Sequence, residues 1–316
     1  MTGALHLGLT PWSMNPTAMP EQARLAEEWG YQSIWLPENH FSGFAALPDP
    51  LMLLAGMAAT TTSIKLGTTS YLLPLRHPLQ AAEQVAVLDQ LSAGRLILGL
   101  GRGYQAPTYA AFGIAMRQKR AIFAQSLKLL KRAWAGEELV MLDGATPVTL
   151  APLPRQQPHP PLWVAAFGPK ALAQVGSLGL PYLASPVESC NDLVGNLAAL
   201  ASASIAAGHA VPDVVPVMRT MFVSDDASLV AALRESLAAQ IKATAATGPM
   251  HLAKAAAADL DDIVIVGDAA HVKAQVARYT GELGVTHLIA TRLRLEGVDK
   301  EALRLSAQRL PEILGH

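Results

Sequence analysis

The sequence has a single cysteine, Cys190, and charged residues make up only 16% of its 316 positions. One thiol excludes a disulfide framework, and no Cys/His cluster has the spacing of metal ligands, so we predict no metal site. The formal net charge of −1 provides no field that would attract nucleic acid or an anionic membrane surface. A phosphate-bearing ligand would therefore have to be held by local charges.

Signals for membrane insertion or export are also lacking. An uncharged run at residues 193–212 consists mainly of Ala, Ser and Gly, contains Asn196 and His209, and ends in proline. This composition predicts a packed helix and not a membrane span. The N-terminal residues show no basic region followed by an apolar core. We therefore expect a cytoplasmic protein with neither a membrane nor a nucleic-acid partner.

Short apolar runs alternate with helical patterns along the chain, which predicts eight strand–helix units. The predicted strands are residues 5–9, 33–36, 64–69, 96–100, 162–165, 182–184, 215–223 and 287–290. The predicted helices are residues 20–29, 50–60, 79–91, 118–134, 170–177, 193–206, 229–242 and 300–310. Eight such units close a (β/α)8 TIM barrel, so we predict an α/β barrel with insertions and a single domain over residues 1–316. A doubly wound open sheet is the alternative that periodicity leaves open.

Three stretches interrupt the repeat. They are the loop 104–116, the hairpin 139–148 with the proline-rich segment after it, and residues 244–268. For the last stretch we predict a helix and an extra strand at 263–266. Its small residues at 244–260 make it a candidate lid over a ligand site.

Unusual residues follow the third and fourth predicted strands, where a parallel barrel presents its chemistry. Thr69 and Ser70 come after the third strand, and Gly101 and Arg102 lie in the GLGRGY segment that ends the fourth. Glycine lets a ligand approach the backbone closely, and arginine suits an anionic group. Arg120, at the start of the next helix, is a candidate second cation. The structural alternative is a tight barrel corner with a solvated helix face.

Glu38, Asn39 and His40 follow the second predicted strand in the segment SIWLPENHF. A carboxylate and an imidazole at a barrel mouth are suited to proton transfer. The alternative is a hydrogen-bonded trio that orders the following loop.

Together these motifs resemble the bacterial luciferase-like family of flavin-dependent monooxygenases. The resemblance is strongest in DPLMLLAGMAATTTSIKLGTTSYLLPLRHP and AAEQVAVLDQLSAGRLILGLGRGY, and WLPENHF, PPLWVAAFGPKA and IVGDAAHV extend it. It implies a luciferase-like TIM barrel that binds reduced FMN, supplied by a separate flavin reductase, at its C-terminal mouth. It further implies that O2 and a small organic substrate react there, and homodimerisation is possible.

The resemblance also assigns cofactor contacts. Arg102 and Arg120 match arginines that bind the FMN phosphate in luciferase relatives. Ala166 and Phe167 match a pair whose backbone amides meet that phosphate, although luciferase has a serine at the second position. Lys170 replaces a nearby threonine, and we expect its charge to support phosphate binding.

Two further expectations concern the reacting ring. The family implies a non-proline cis peptide bond, here Thr69–Ser70, which together with the glycine strand end would cradle the isoalloxazine. Luciferases carry a histidine, a proposed catalytic base, where Asn39 stands, and an amide cannot take a proton at neutral pH. His40 could replace that base, or the substrate could need none, and oxidation of another small organic substrate is expected in place of the luciferase reaction.

Two alternatives stay open. A branch of the superfamily uses the deazaflavin coenzyme F420 for hydride transfer and does not activate oxygen. The departures at Asn39 and Phe167 also allow a non-catalytic flavin-binding protein of the same fold.

Overall fold

The computed structural model describes residues 5–43, 46–247, 257–292, 295 and 297–316. Its strands are β1 (His6–Leu9), β2 (Ser33–Leu36), β3 (Lys65–Thr68), β4 (Tyr71–Leu72), β5 (Leu96–Gly101), β6 (Leu162–Ala165), β7 (Tyr182–Leu183), β8 (Pro216–Val223), β9 (Val264–Gly267) and β10 (His287–Thr291). The helices used below are α1 (Met19–Glu28), α2 (Pro50–Ala58), α3 (Pro78–Leu91), α4 (Ala106–Ala111), α5 (Lys119–Trp134), α6 (Pro169–Ser177), α7 (Cys190–Ala206), α8 (Ala227–Thr247), α9 (Ala269–Leu283) and α10 (Lys300–Leu314).

The chain divides into two compact units. The larger unit comprises Met1–Ser13, Gln22–Trp35 and Val164–His316, and the smaller unit comprises Met14–Glu21 and Leu36–Trp163. Each is described by itself below. A single domain over the whole chain stays a prediction.

In the larger unit the strands pair in parallel, in the order β2-β1-β10-β8-β9. All eight residues of β8 are buried, as expected for an apolar strand that is covered on both faces. Helix α10 packs against β8 and α9 packs against β9. The side chain of Asp268 caps α9 by accepting a hydrogen bond from the backbone N–H of His271, and Gly284 ends the helix in the left-handed conformation.

In the smaller unit β3 pairs in parallel with β5, and the two-residue strand β4 pairs with the end of β5. Proline opens both α2 and α3, where its missing N–H costs no helical hydrogen bond. The indole N–H of Trp134, at the end of α5, donates to the carbonyl of Ala82 on α3 at 3.1 Å. Helices α2, α3 and α5 thus form the covering layer of this unit.

The predicted strands and helices are found at their predicted places, with ends that differ by a few residues. The extra strand is β9, and the predicted hairpin is a single antiparallel bridge between Leu139 and Val148. Three elements were not predicted: the short strand β4, helix α4 within the loop 104–116, and helix α9. Much of the candidate lid, residues 248–256, lies outside the described residues. Within the part of the chain that is described, no helix has the length and hydropathy to cross a bilayer.

Candidate functional site

The turn after β3 contains the predicted cis peptide bond, Thr69–Ser70, which is confirmed. Two hydrogen bonds tie this turn to its neighbours. The N–H of Thr69 donates to the carbonyl of Leu36 at 2.7 Å, and the hydroxyl of Thr68 donates to the carbonyl of Gly99 at 2.7 Å. The chain thereby joins the ends of β2, β3 and β5.

Gly101 is required at the end of β5 because the Ser70 side chain occupies the space beside it. A Cβ atom placed on Gly101 would lie 1.9 Å from Ser70 Oγ and 2.9 Å from Ser70 Cβ. Parallel pairing of Leu72 with Gly101 holds the two segments in this register. Of the predicted site residues, Thr69, Ser70 and Gly101 therefore form one interlocked backbone feature.

Arg102 begins a cluster of cations just beyond β5. Its side chain is nearly buried, at 7% exposure, and its guanidinium carbon lies 5.5 Å from the centre of the Phe123 ring. Burial lowers the pKa of Arg102, and the nearby charge of Arg120 lowers it further. The ammonium group of Lys119 donates to the carbonyl of Gly103 at 2.9 Å, and its pKa is lowered by burial and then by the charges of both arginines.

These cations stand at the N-terminus of α5, which begins at Lys119. The first turn of this helix contains no acidic residue and no side-chain cap, and the N–H of Lys119 donates to the carbonyl of Met116 in the preceding turn. A helix N-terminus is already electropositive, so two cations in its first turn disfavour the unliganded state. An anion placed there would relieve the repulsion between these cations, so the charges suit an anionic ligand. Lys119 was missed in the sequence, where its only signal is its position inside the basic segment MRQKR.

Glu38 forms a second site feature at the end of β2. Its side chain is fully buried, and Oε1 lies 2.7 Å from Arg76 Nη1 and 2.7 Å from His40 Nε2. Oε2 accepts a hydrogen bond from the N–H of Leu72 at 2.9 Å. Both carboxylate oxygens are thus occupied, and an ionised Glu38 makes His40 Nε2 the donor in their contact. His40 Nδ1 is then the nitrogen able to accept a proton.

Arg76 was not predicted as a site residue. Its guanidinium lies over the Tyr71 ring, 4.0 Å from the ring centre, and donates to the carbonyl of Leu72 at 3.2 Å. Burial raises the pKa of Tyr71, and the charge of Arg76 partly opposes the rise. Arg76 therefore neutralises Glu38 and fixes β4 at the same time. A single arginine in the run LLPLRHP carries no pattern that would have identified it.

Asn39 lies between Glu38 and His40 but organises the following loop. Its backbone pairs with Leu47 in both directions, and its Oδ1 accepts from the N–H of Leu47 and the hydroxyl of Ser42, each at 2.9 Å. The loop-ordering interpretation therefore accounts for Asn39. The contact between Glu38 and His40 is the part of this trio that is suited to proton transfer.

The structure places the remaining predicted residues, Ala166, Phe167 and Lys170, in the larger unit. Ala166 is buried after β6, Phe167 is partly exposed, and Lys170 lies exposed in the first turn of α6. Gly168, with φ of 77°, begins this helix, and no side chain caps it. A role for these residues in phosphate binding stays a prediction. Among the residues with described positions, no three His, Cys, Asp or Glu side chains are grouped as a metal site would need.

Comparison with known proteins gives a family match over most of the chain. The model of the family described as luciferase-like monooxygenase matches residues 2–287. The chain is 30% identical to an alkanal monooxygenase alpha chain of Photorhabdus luminescens over 54% of this chain and 48% of that protein. It is 32% identical to the oxygenase component of the flavin-dependent trigonelline monooxygenase of Acinetobacter baylyi over 48% of this chain and 44% of that protein. The chain spans about half the length of the curated relatives that it matches.

Solved structures share the fold. The oxygenating component of 3,6-diketocamphane monooxygenase from Pseudomonas putida, solved with FMN, superposes with a TM-score of 0.81 at 20% identity, covering 98% of each chain. The coenzyme F420-dependent tetrahydromethanopterin reductase of Methanopyrus kandleri gives a TM-score of 0.71 at 19% identity, covering 98% of this chain and 100% of that one. These matches confirm the predicted luciferase-like α/β fold.

Proposed function

The chain belongs to the luciferase-like monooxygenase family, and we propose that it is a flavin-dependent monooxygenase that uses reduced FMN and O2 to oxidise a small organic substrate. The observation that carries this proposal is the cluster of three cations, Arg102, Lys119 and Arg120, at the start of α5. It adjoins the strand end at Gly101, against which the cis turn Thr69–Ser70 is packed.

The residues of the smaller unit suit FMN as a ligand. The three cations would hold its phosphate, and the backbone at Thr69, Ser70 and Gly101 would support its ring. When bound, reduced FMN supplies the electrons with which one oxygen atom of O2 is inserted into the substrate. We propose that a separate reductase provides this cofactor, because the relative from Acinetobacter baylyi is named as an oxygenase component.

We assign proton transfer to His40. Glu38 fixes its ring through Nε2 at 2.7 Å, and Arg76 contacts the same carboxylate oxygen at 2.7 Å. Nδ1 of His40 would then accept or return a proton at the substrate. In this assignment Glu38 is a positioning residue, and Asn39 acts through the loop it orders.

Several expectations from the sequence stay predictions. They are closure of the strands into a (β/α)8 barrel, backbone contacts from Ala166 and Phe167 to the FMN phosphate, a charge contact from Lys170, a cytoplasmic location, and a homodimer.

Replacing Arg102 tests the cofactor site. Loss of one charge-assisted contact should weaken FMN binding in Arg102→Ala by about 1.5–3 kcal/mol, or roughly ten- to a hundredfold, measured by titration of the flavin fluorescence. Arg132→Ala is the matched control, because it removes the same charge from the opposite end of α5, where Arg132 pairs with Glu137 at 2.6 Å. Equal affinities in the two variants would show that the phosphate binds elsewhere.

The oxidation itself is tested by oxygen uptake with FMN, NADH and a flavin reductase over a panel of small organic substrates. We expect substrate-dependent uptake in which product accounts for the oxygen consumed. Hydride transfer from reduced coenzyme F420 without oxygen uptake would instead favour the alternative that the fold match to the Methanopyrus kandleri reductase suggests. Tight FMN binding without product from any substrate would favour a non-catalytic flavin-binding protein.

A further inference from the structure

The loop that follows His40 is held closed at its base. Asn39 and Leu47 form an antiparallel bridge, and Asn39 Oδ1 accepts a hydrogen bond from Ser42 inside the loop at 2.9 Å. Leu47 itself is fully buried, so the base is anchored in the core of the smaller unit. Asn39 therefore links the two ends of this loop and fixes Ser42 beside its start.

Phe41, inside this loop, is in an unfavourable state in two respects. Its φ is 58°, in the left-handed region that side chains other than glycine rarely adopt, and its side chain is 71% exposed. Most of this large apolar ring therefore faces solvent in the isolated chain. Backbone strain combined with apolar exposure is typical of residues retained for a ligand.

A second exposed ring, Phe112, lies beside the first. The ring centres of Phe41 and Phe112 are 6.2 Å apart, and His40 lies 5.1 Å from Phe112 in an edge-on arrangement and 5.9 Å from Phe41. These distances fall within the range of favourable aromatic pairs. The two phenyl rings thus form a small apolar platform next to the imidazole to which we assign proton transfer.

We propose that Phe41 and Phe112 form a ring-binding platform that selects substrates containing a planar aromatic ring, and that Asn39 positions this platform. An aromatic substrate ring packed against these two rings would gain edge-to-face or stacked contacts, whereas an aliphatic group would gain only the contact area. We rest this inference on the proposed function, since ring selection matters for catalysis only if His40 faces a substrate.

Binding of a matched pair of probes, phenol and cyclohexanol, tests the platform without turnover. Titrations followed by ligand-observed NMR on the full chain, with and without FMN, should show phenol favoured by roughly two- to tenfold. Phe41→Leu should bring the two affinities close together, while Phe41→Tyr keeps a ring and should keep the preference. Leu142→Ala removes another exposed apolar side chain of the same unit and should change neither affinity.

The role of Asn39 has its own test. Asn39→Ala should reduce the preference for phenol as much as Phe41→Leu does, and Asn39→Asp, which keeps an oxygen acceptor for Leu47 and Ser42, should restore it. Circular dichroism of each variant identifies any that fails to fold, and Phe112→Leu then supplies an independent measurement.

Two results would overturn the platform. One is equal binding of both probes to the unchanged protein. The other is a dimer, detected by sedimentation, that Phe41→Leu dissociates without altering the probe affinities, because the rings would then serve a second copy of this chain. Failure of the oxygen-uptake assay with the phenol preference intact would reject the proposed monooxygenase reaction and leave the ring site standing.

Discussion

Gly101 is the residue at which the strand end and the cis turn meet. Its hydrogen leaves room for the Ser70 side chain, and a methyl group there would lie 1.9 Å from Ser70 Oγ. Neither segment can move away easily, because Leu72 pairs with Gly101 and the N–H of Thr69 donates a hydrogen bond to the carbonyl of Leu36. The close packing of Ser70 on Gly101 thus adds to the hydrogen bonds that hold the turn.

We predict that Gly101→Ala destabilises the protein by about 1–3 kcal/mol, as expected for overpacking at a site that cannot yield. Urea unfolding followed by circular dichroism measures this loss. FMN binding should weaken together with stability, since the same backbone supports the proposed ring site.

Gly56→Ala is the control for this substitution. A Cβ at Gly56, inside α2, would meet only Pro20 Cγ at an ordinary distance of 3.6 Å, so this change should raise stability by up to about 1 kcal/mol. The double variant Ser70→Gly/Gly101→Ala should recover much of the lost stability. If Gly101→Ala is as stable as the unchanged protein, the close packing of Ser70 is wrong.

At the scale of elements, helix α5 carries positive side chains at its N-terminus, the end at which the helix dipole is already positive. Lys119 and Arg120 occupy its electropositive end, while Lys131 and Arg132 at its other end complement the dipole. The first pair therefore costs stability in the free protein. Such a cost is understandable if the pair serves an anionic ligand.

We predict that Arg120→Ala makes the ligand-free protein more stable by about 0.3–1 kcal/mol while it weakens FMN binding. Arg132→Ala, at the opposite end, should lower stability by up to about 1 kcal/mol and leave FMN affinity unchanged, since it removes a favourable dipole contact and the pair with Glu137. Urea unfolding and FMN titration of both variants check this pattern. A loss of stability in Arg120→Ala would mean that its charge is already compensated in the free protein.

Elements with a clear apolar pattern could be predicted from the sequence, such as β5, a continuous buried run, and α5, which has one apolar face. Strand β4 could not, since two residues have no period and its pairing with Leu100 and Gly101 is a tertiary contact. Helix α9 was missed although Asp268 caps it and Gly284 ends it, because its polar sequence AAHVKAQVARYTGEL contains few large apolar residues. Its boundary residues were the signal that could have revealed it.

Within the site, Arg102 and Glu38 could be predicted because each follows a strand directly. Arg76 and Lys119 could not, since their roles depend on tertiary contacts: Arg76 meets Glu38 at 2.7 Å, and Lys119 meets the carbonyl of Gly103 at 2.9 Å. A position just after a predicted strand identifies a candidate site residue. It does not show which charged side chains from other parts of the chain contact that residue.

At the scale of the whole molecule, buried Glu188 and half-buried His287 of the larger unit make opposite contributions to stability as the pH changes. Burial raises the pKa of Glu188 to about 7, although Tyr182, Asn196 and the N–H of Ser185 all donate to its carboxyl group. Burial lowers the pKa of His287 to about 4. Folding therefore favours the neutral form of both groups.

The signs of the two effects follow from linkage. The stability that Glu188 contributes is fully present below its unfolded pKa of about 4.5 and is lost as the pH rises through 7. The stability that His287 contributes is fully present above its unfolded pKa of about 6.5 and is lost as the pH falls through 4. Between these limits the two contributions change in opposite directions and largely cancel.

Single substitutions should separate the contributions of Glu188 and His287 to the pH dependence of stability. Relative to the unchanged protein, Glu188→Gln should gain roughly 2–3 kcal/mol as the pH rises from 4.5 to 7. His287→Gln should gain roughly 1–2 kcal/mol as the pH falls from 6.5 to 4, a smaller change because this ring keeps some contact with solvent. Urea unfolding at half-unit steps of pH gives both difference curves, in which the contributions of all other groups cancel. A Glu188→Gln curve that stays level across its window would mean that the carboxyl group is ionised in the folded protein at acidic pH, and that its hydrogen bonds outweigh its burial.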